Sequence, residues 1–166
     1  MNTRHELNEL LSTLGMPALE FDANGCASLL FNDSIAVNFE HDRASGLLHL
    51  YTDLGPLPVD GRETVYRALL EANLFGVETR GATLALDQNQ NQVVLFKTVH
   101  DSSLTLSSFS QLLAGFVDCA TLWQQRLISS ADGPESRAEG QITRAPSIRR
   151  IRSAATAQYA HVAPKP

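Results

Sequence analysis

From Leu106 to Leu127 the apolar residues Leu106, Phe109, Leu113, Phe116, Val117, Ala120, Trp123 and Leu127 recur at helical spacing. A helix of about six turns with one apolar stripe is not stable alone in water, so another layer has to cover that stripe. The spacing predicts a helix over about residues 105–129, the longest periodic segment of the chain.

The covering layer is written in a different period. Thr3 and Glu6 have the spacing of a capping box, and Leu7, Leu10, Leu11 and Leu14 follow as one stripe, which predicts a first helix at about residues 3–14 ended by Gly15 and Pro17. Alternation then takes over. Leu19 and Phe21 alternate with Ala18, Glu20 and Asp22; Asn24-Gly25 reads as a type I′ hairpin turn, so Cys26 to Phe31 is expected to return antiparallel. After Asn32-Asp33, a second turn signal, Ile35, Val37 and Phe39 alternate, and Leu47 to Tyr51 is a further run beyond Ala44-Ser45-Gly46. Asp60 as N-cap and Glu63 three residues on open a second helix that continues to Gly76. Ala82, Leu84 and Leu86 form one side of a strand, 87–91 a polar loop, and Val93 to Val99 its hairpin partner.

The expected fold is therefore α+β, in the order α-β-β-β(-β)-α-β-β-α: an antiparallel twisted sheet with helices packed on it. The 166 residues, 43% of them hydrophobic, suffice for one sizeable core. Residues 1–129 form that domain. Residues 130–166, with Gly133, Pro134, Gly140, Pro146, Pro164 and Pro166 among Ser, Ala, Thr and Arg, read as a largely disordered tail. The net charge of −5 divides unevenly: residues 1–129 carry seven Lys and Arg against fifteen Asp and Glu, the tail six against three.

Few function classes survive. No apolar run reaches the roughly 18 residues of a membrane span, and the N-terminus lacks a signal-peptide core. Cys26 and Cys119 are too few for a disulfide framework or a zinc site and read as small core residues of a reducing cytosol. Phosphate-loop, nucleophile-elbow, dinucleotide and metalloprotease motifs are absent. His41-Asp42 and His100-Asp101 are neighbours in sequence, and neighbours on a strand point to opposite faces. The serines of "DSSLTLSSFS" read as helix-entry caps. Arg149, Arg150 and Arg152 are basic without interleaved aromatics, a poor nucleic-acid signal beside an acidic body. The expectation is a protein without catalytic residues, cofactor, metal or nucleic-acid partner. What remains is apolar surface beyond what one small sheet and three helices hide, and such surface calls for a partner.

The element order, together with Leu69-Leu70-Glu71-Ala72-Asn73-Leu74-Phe75, Thr79-Arg80-Gly81-Ala82-Thr83-Leu84-Ala85-Leu86 and Val93-Val94-Leu95, resembles the class I type III secretion chaperones, the Tir-chaperone-like (CesT) family. Supporting matches are Leu19 to Asp22 and Leu48 to Gly55. The resemblance spans residues 3–129 and implies a homodimer in the bacterial cytoplasm that binds an extended N-terminal segment of a secreted effector and keeps it export-competent. It implies a two-fold interface built from the second helix and the following strands, with Val65, Tyr66, Leu69, Leu70 and Leu84 as candidates. It implies a cargo surface on the first helix and meander, with Leu7, Leu10, Leu11, Leu14, Leu19, Phe21, Leu29, Phe31, Val37 and Phe39 as candidates. The secretion-apparatus ATPase is a further partner that the resemblance admits. The alternative is a dimeric adaptor that binds a folded component of the secretion apparatus.

Overall fold

The computed structural model describes residues 3–131 and 147–150. Its elements are α1 (Thr3–Thr13), β1 (Cys26–Phe31), β2 (Ile35–Asp42), β3 (Leu47–Pro56), α2 (Arg62–Asn73), β4 (Thr83–Asp87), β5 (Gln92–His100), α3 (Leu106–Ala131) and β6 (Ile148–Arg150). The sheet is antiparallel, with strand order β4-β5-β3-β2-β1-β6. This is the α+β class that the alternating periods predict.

The meander turns at Asn32-Asp33. Both residues have positive φ, 51° and 57°, and the Ser34 N–H donates to the Phe31 carbonyl, so this turn supplies the handedness a tight hairpin needs. The expected strand at Leu19–Phe21 does not form. Leu19 has its backbone taken by a side chain instead: its N–H donates to Asn8 Oδ1 at 2.7 Å and its carbonyl accepts from Asn8 Nδ2 at 3.1 Å. Asn24-Gly25 then closes a short turn in which Asp22 Oδ1 accepts from the N–H groups of Asn24 and Cys26, and no hairpin is made there.

The second helix also starts differently from the sequence expectation. Gly61, at φ 69° and ψ 19°, is its N-cap, and its carbonyl accepts the Val65 N–H; no side chain caps the helix, so Asp60 does not fill that role. The capping box expected at Thr3 and Glu6 rests on side chains outside those described. Helix α3 is capped as the serines predict: Thr105 Oγ1 accepts from the Ser108 N–H, and Ser108 Oγ accepts from the Thr105 N–H.

Helix α3 packs across β3 and β2, and α2 contacts β4. One apolar cluster joins Leu7 and Leu11 of α1, the inward residues of the strands, and Phe109, Leu113, Phe116 and Trp123 of α3. Both cysteines are buried and Cys119 belongs to this cluster, as expected of small core residues. Among the described residues no helix is long and apolar enough to cross a membrane. The disorder expected for residues 130–166 falls mostly on residues outside those described; of the described ones, Ser130 and Ala131 continue α3 and Ile148–Arg150 form a strand on β1.

Candidate partner-binding surfaces

Helix α2 ends at Asn73, and a 3-10 turn, Leu74–Gly76, follows it. Phe75 takes the left-handed conformation, φ 56°, and Gly76 follows at φ 66°. A side chain at Gly76 would meet the Gly81 backbone at 3.2 Å, so the chain reverses here only because this residue is glycine. Four apolar side chains face outward around this reversal, Leu70 from the last turn of α2 and three from the turn itself: Leu70 is 71% exposed, Leu74 64%, Phe75 91% and Val77 79%.

This tip is held firmly. The Gly81 N–H donates to the Gly76 carbonyl at 2.8 Å, closing the loop on itself. Arg80 pairs with Asp118 of α3 at 3.1 Å and Arg126 of α3 with Glu78 at 3.0 Å. Lys97 Nζ of β5 donates to the Arg80 carbonyl at 2.9 Å. Asn73 fixes the other end, its amide donating to the Leu84 carbonyl and accepting the Leu84 N–H, each at 2.9 Å. A pinned apolar loop loses little conformational entropy when a partner covers it.

The interface candidates divide. Leu70 is on the exposed tip; Tyr66 is half-buried against the core; Val65, Leu69 and Leu84 are buried by this chain's own side chains. Sequence reasoning missed Leu74, Phe75 and Val77. Their signal was present as apolar residues flanking the glycine stop, outside the stripe that the α2 periodicity assigns inward. Beside α2 lies a groove of about 380 Å³ between α2 and α3, lined by Thr64, Val65, Ala68, Leu122, Trp123 and Arg126. The Arg126 guanidinium sits 4.9 Å from the Trp123 ring centroid, and the buried indole N–H has no hydrogen-bond partner among the described residues.

The cargo candidates also divide. Leu7, Leu11, Leu19, Leu29, Phe31, Val37 and Phe39 are core residues, each at most 5% exposed. Leu10, Leu14 and Phe21 are half-buried and pack on that core together with Met16, so they are the candidates that present a partly open apolar surface. They lie along α1 and the segment after it, which Asn8 holds against Leu19.

Chemistry is sparse. His41 Nε2 meets Asp101 Oδ2, 60 positions away, at 3.1 Å, with side chains 5% and 15% exposed. That pair fastens the end of β2 to the turn before α3, a partner that sequence adjacency did not indicate. Burial raises the Cys119 thiol above its ordinary range, which keeps it protonated and unreactive. Among the described residues no group of three His, Cys, Asp or Glu side chains is placed to hold a metal ion.

The sequence pattern of the Tir chaperone protein (CesT) family matches residues 5–124. The transcriptional anti-antiactivator ExsC of Pseudomonas aeruginosa is 29% identical over 126 residues, covering 76% of this chain and 86% of that protein. The fold superposes on the ExsC chain of an ExsC–ExsE complex with a TM-score of 0.62, at 27% identity over 76% of this chain and 97% of that one. It superposes on a chain of the HopA1–SchA chaperone–effector complex with a TM-score of 0.61, at 20% identity over 75% of this chain and 95% of that one, a likeness of fold.

Proposed function

We propose, from the premise that this chain belongs to the Tir chaperone protein (CesT) family, that it is a type III secretion chaperone of the bacterial cytoplasm. It works as a homodimer that holds an extended N-terminal segment of a secreted effector, keeping that segment unfolded and export-competent. The observation that carries this reading is the pinned apolar tip, Leu70, Leu74, Phe75 and Val77, on a protomer whose remaining large apolar residues are mostly inside. Covering such side chains is worth about 1.5–3 kcal/mol each. A two-fold dimer uses the same patch twice, so one tip suffices to cover itself.

The client then lies along the opposite flank. Leu10, Leu14 and Phe21 offer pockets for apolar side chains, and an outer strand of the sheet offers backbone donors and acceptors to a segment that arrives extended. Selectivity comes from the pockets and affinity from the backbone bonds. The likeness to a chaperone seen with its effector supports this arrangement. The relatives are chaperones and binding proteins, and nothing in their likeness to this chain calls for a catalytic step. The secretion-apparatus ATPase remains a partner to which no surface is assigned.

A second reading is favoured by one relative. ExsC is named for transcriptional anti-antiactivation, so this chain could serve a regulatory circuit by binding a control protein. Copurification from the source cell separates the two. The chaperone reading expects a secreted protein whose retained part, after limited proteolysis, is an N-terminal segment with no tertiary structure of its own by near-ultraviolet circular dichroism. Retention of a compact, independently folded domain would favour the regulatory reading.

A further inference from the structure

The six-stranded sheet ends on a strand that the body does not supply. Ile148–Arg150 lie antiparallel on β1, with Phe31 opposite Ile148, Leu30 opposite Arg149 and Leu29 opposite Arg150. The Asn32 N–H donates to the Ser147 carbonyl at 2.7 Å, extending the ladder by one bond. Ile148 packs half-buried on the core cluster, and Arg149 pairs with Asp33 at 3.2 Å. Remove these few residues and β1 becomes the edge of the sheet.

This contact is weak by construction. It is three residues long, and strands of that length mark the short end of what sheets use. It has one half-buried apolar side chain, and its ion pair is exposed on both sides, which contributes little. What keeps such a strand in place is its tether. Sixteen residues, 132–147, separate it from α3, a length of chain that reaches at most about 55 Å. A covalent connection of that length makes the pairing intramolecular, so the strand meets its edge at a far higher effective concentration than a free peptide would. A weak, tethered strand is occupied at rest and yields to a longer or better-fitting competitor.

We infer that Ile148–Arg150 is a resident occupant of the β1 edge, a displaceable strand from the chain's own tail that an incoming extended segment has to replace. The edge is thereby shielded from the pairing with other chains to which an open strand is prone. A client binds with an affinity lowered by the fraction of molecules whose edge is open. Its strand has to place an apolar residue opposite Phe31, and Asp33 favours a basic neighbour there, as Ile148 and Arg149 do. The identity of the competitor rests on the chaperone reading; the occupancy itself does not.

The test needs no secreted client. In the full-length chain, Ile148→Asp removes the apolar contact, and Arg149→Glu, at an exposed position that folding does not depend on, sets two acids side by side. The Asn32 amide should exchange with solvent at least tenfold faster in Ile148→Asp than in the wild type, and faster by a smaller factor in Arg149→Glu. A labelled peptide of residues 143–154 should bind the Ile148→Asp chain at least tenfold more tightly than the wild-type chain. Unchanged exchange, equal affinity for the two chains, or no binding by either would overturn the inference. Wild-type Asn32 protection that disappears on dilution would also overturn it, since the strand would then come from a neighbouring copy. Because both arms use the chain's own tail, they can fail while the chaperone reading stands, and the reverse.

Discussion

Asn8 and Asn73 act alike at two places. Each side-chain amide makes a pair of hydrogen bonds to the backbone of a leucine eleven positions on, Leu19 and Leu84. At Leu84 the amide satisfies the outer edge of β4; at Leu19 it replaces the strand partner that the alternation of Leu19 and Phe21 implies. A period of two in the sequence reports which side chains face inward, and Leu19 is indeed buried, but it cannot report whether the backbone pairs with a strand or with an amide. Asn73→Ala leaves two backbone groups without partners and should lower stability by about 2 kcal/mol in a urea titration. Cys26 and Cys119 are 3% and 2% exposed, so neither should react with a thiol reagent until the chain unfolds. Fast labelling of one thiol in native buffer would contradict that.

At the level of elements, the helices and most strands were legible because each has its own unbroken period. Helix α3, expected over 105–129, runs from Leu106 to Ala131. The hairpin of β4 and β5 forms around the polar loop. The apolar tip after α2 was harder to read, since Leu74, Phe75 and Val77 carry no period, and a glycine stop does not reveal which side chains it turns outward. Burial now separates substitutions that periodicity treats alike. Leu69→Asp puts a charge into the protomer core and should unfold it, by several kcal/mol. Phe75→Asp, at a position 91% exposed, should leave the melting temperature of the protomer nearly unchanged and convert dimer to monomer in light scattering. A Phe75→Asp chain that still scatters as a dimer would move the interface elsewhere, the α2–α3 groove being the next surface to probe. Strand β6 was illegible for a different reason: one isoleucine among arginines shows no pattern, and its partner lies more than a hundred residues earlier.

For the molecule as a whole, length, composition and element order were enough to place the fold, and the resemblance in the Leu69–Phe75 and Thr79–Leu86 stretches reached the family that the comparison across residues 5–124 establishes. The surfaces were not reachable in the same way. Seven of the ten residues proposed for cargo turned out to be interior, because an apolar residue covered by its own chain and one covered by a partner obey the same period. In the proposed function the remaining apolar surface is covered first by an identical copy at the α2 tip, then by an extended client along α1 and the outer strand. Native mass spectrometry of the purified client complex tests this most directly. Two chains of 18.1 kDa with one client is the expected stoichiometry; one chain of 18.1 kDa with one client would contradict it.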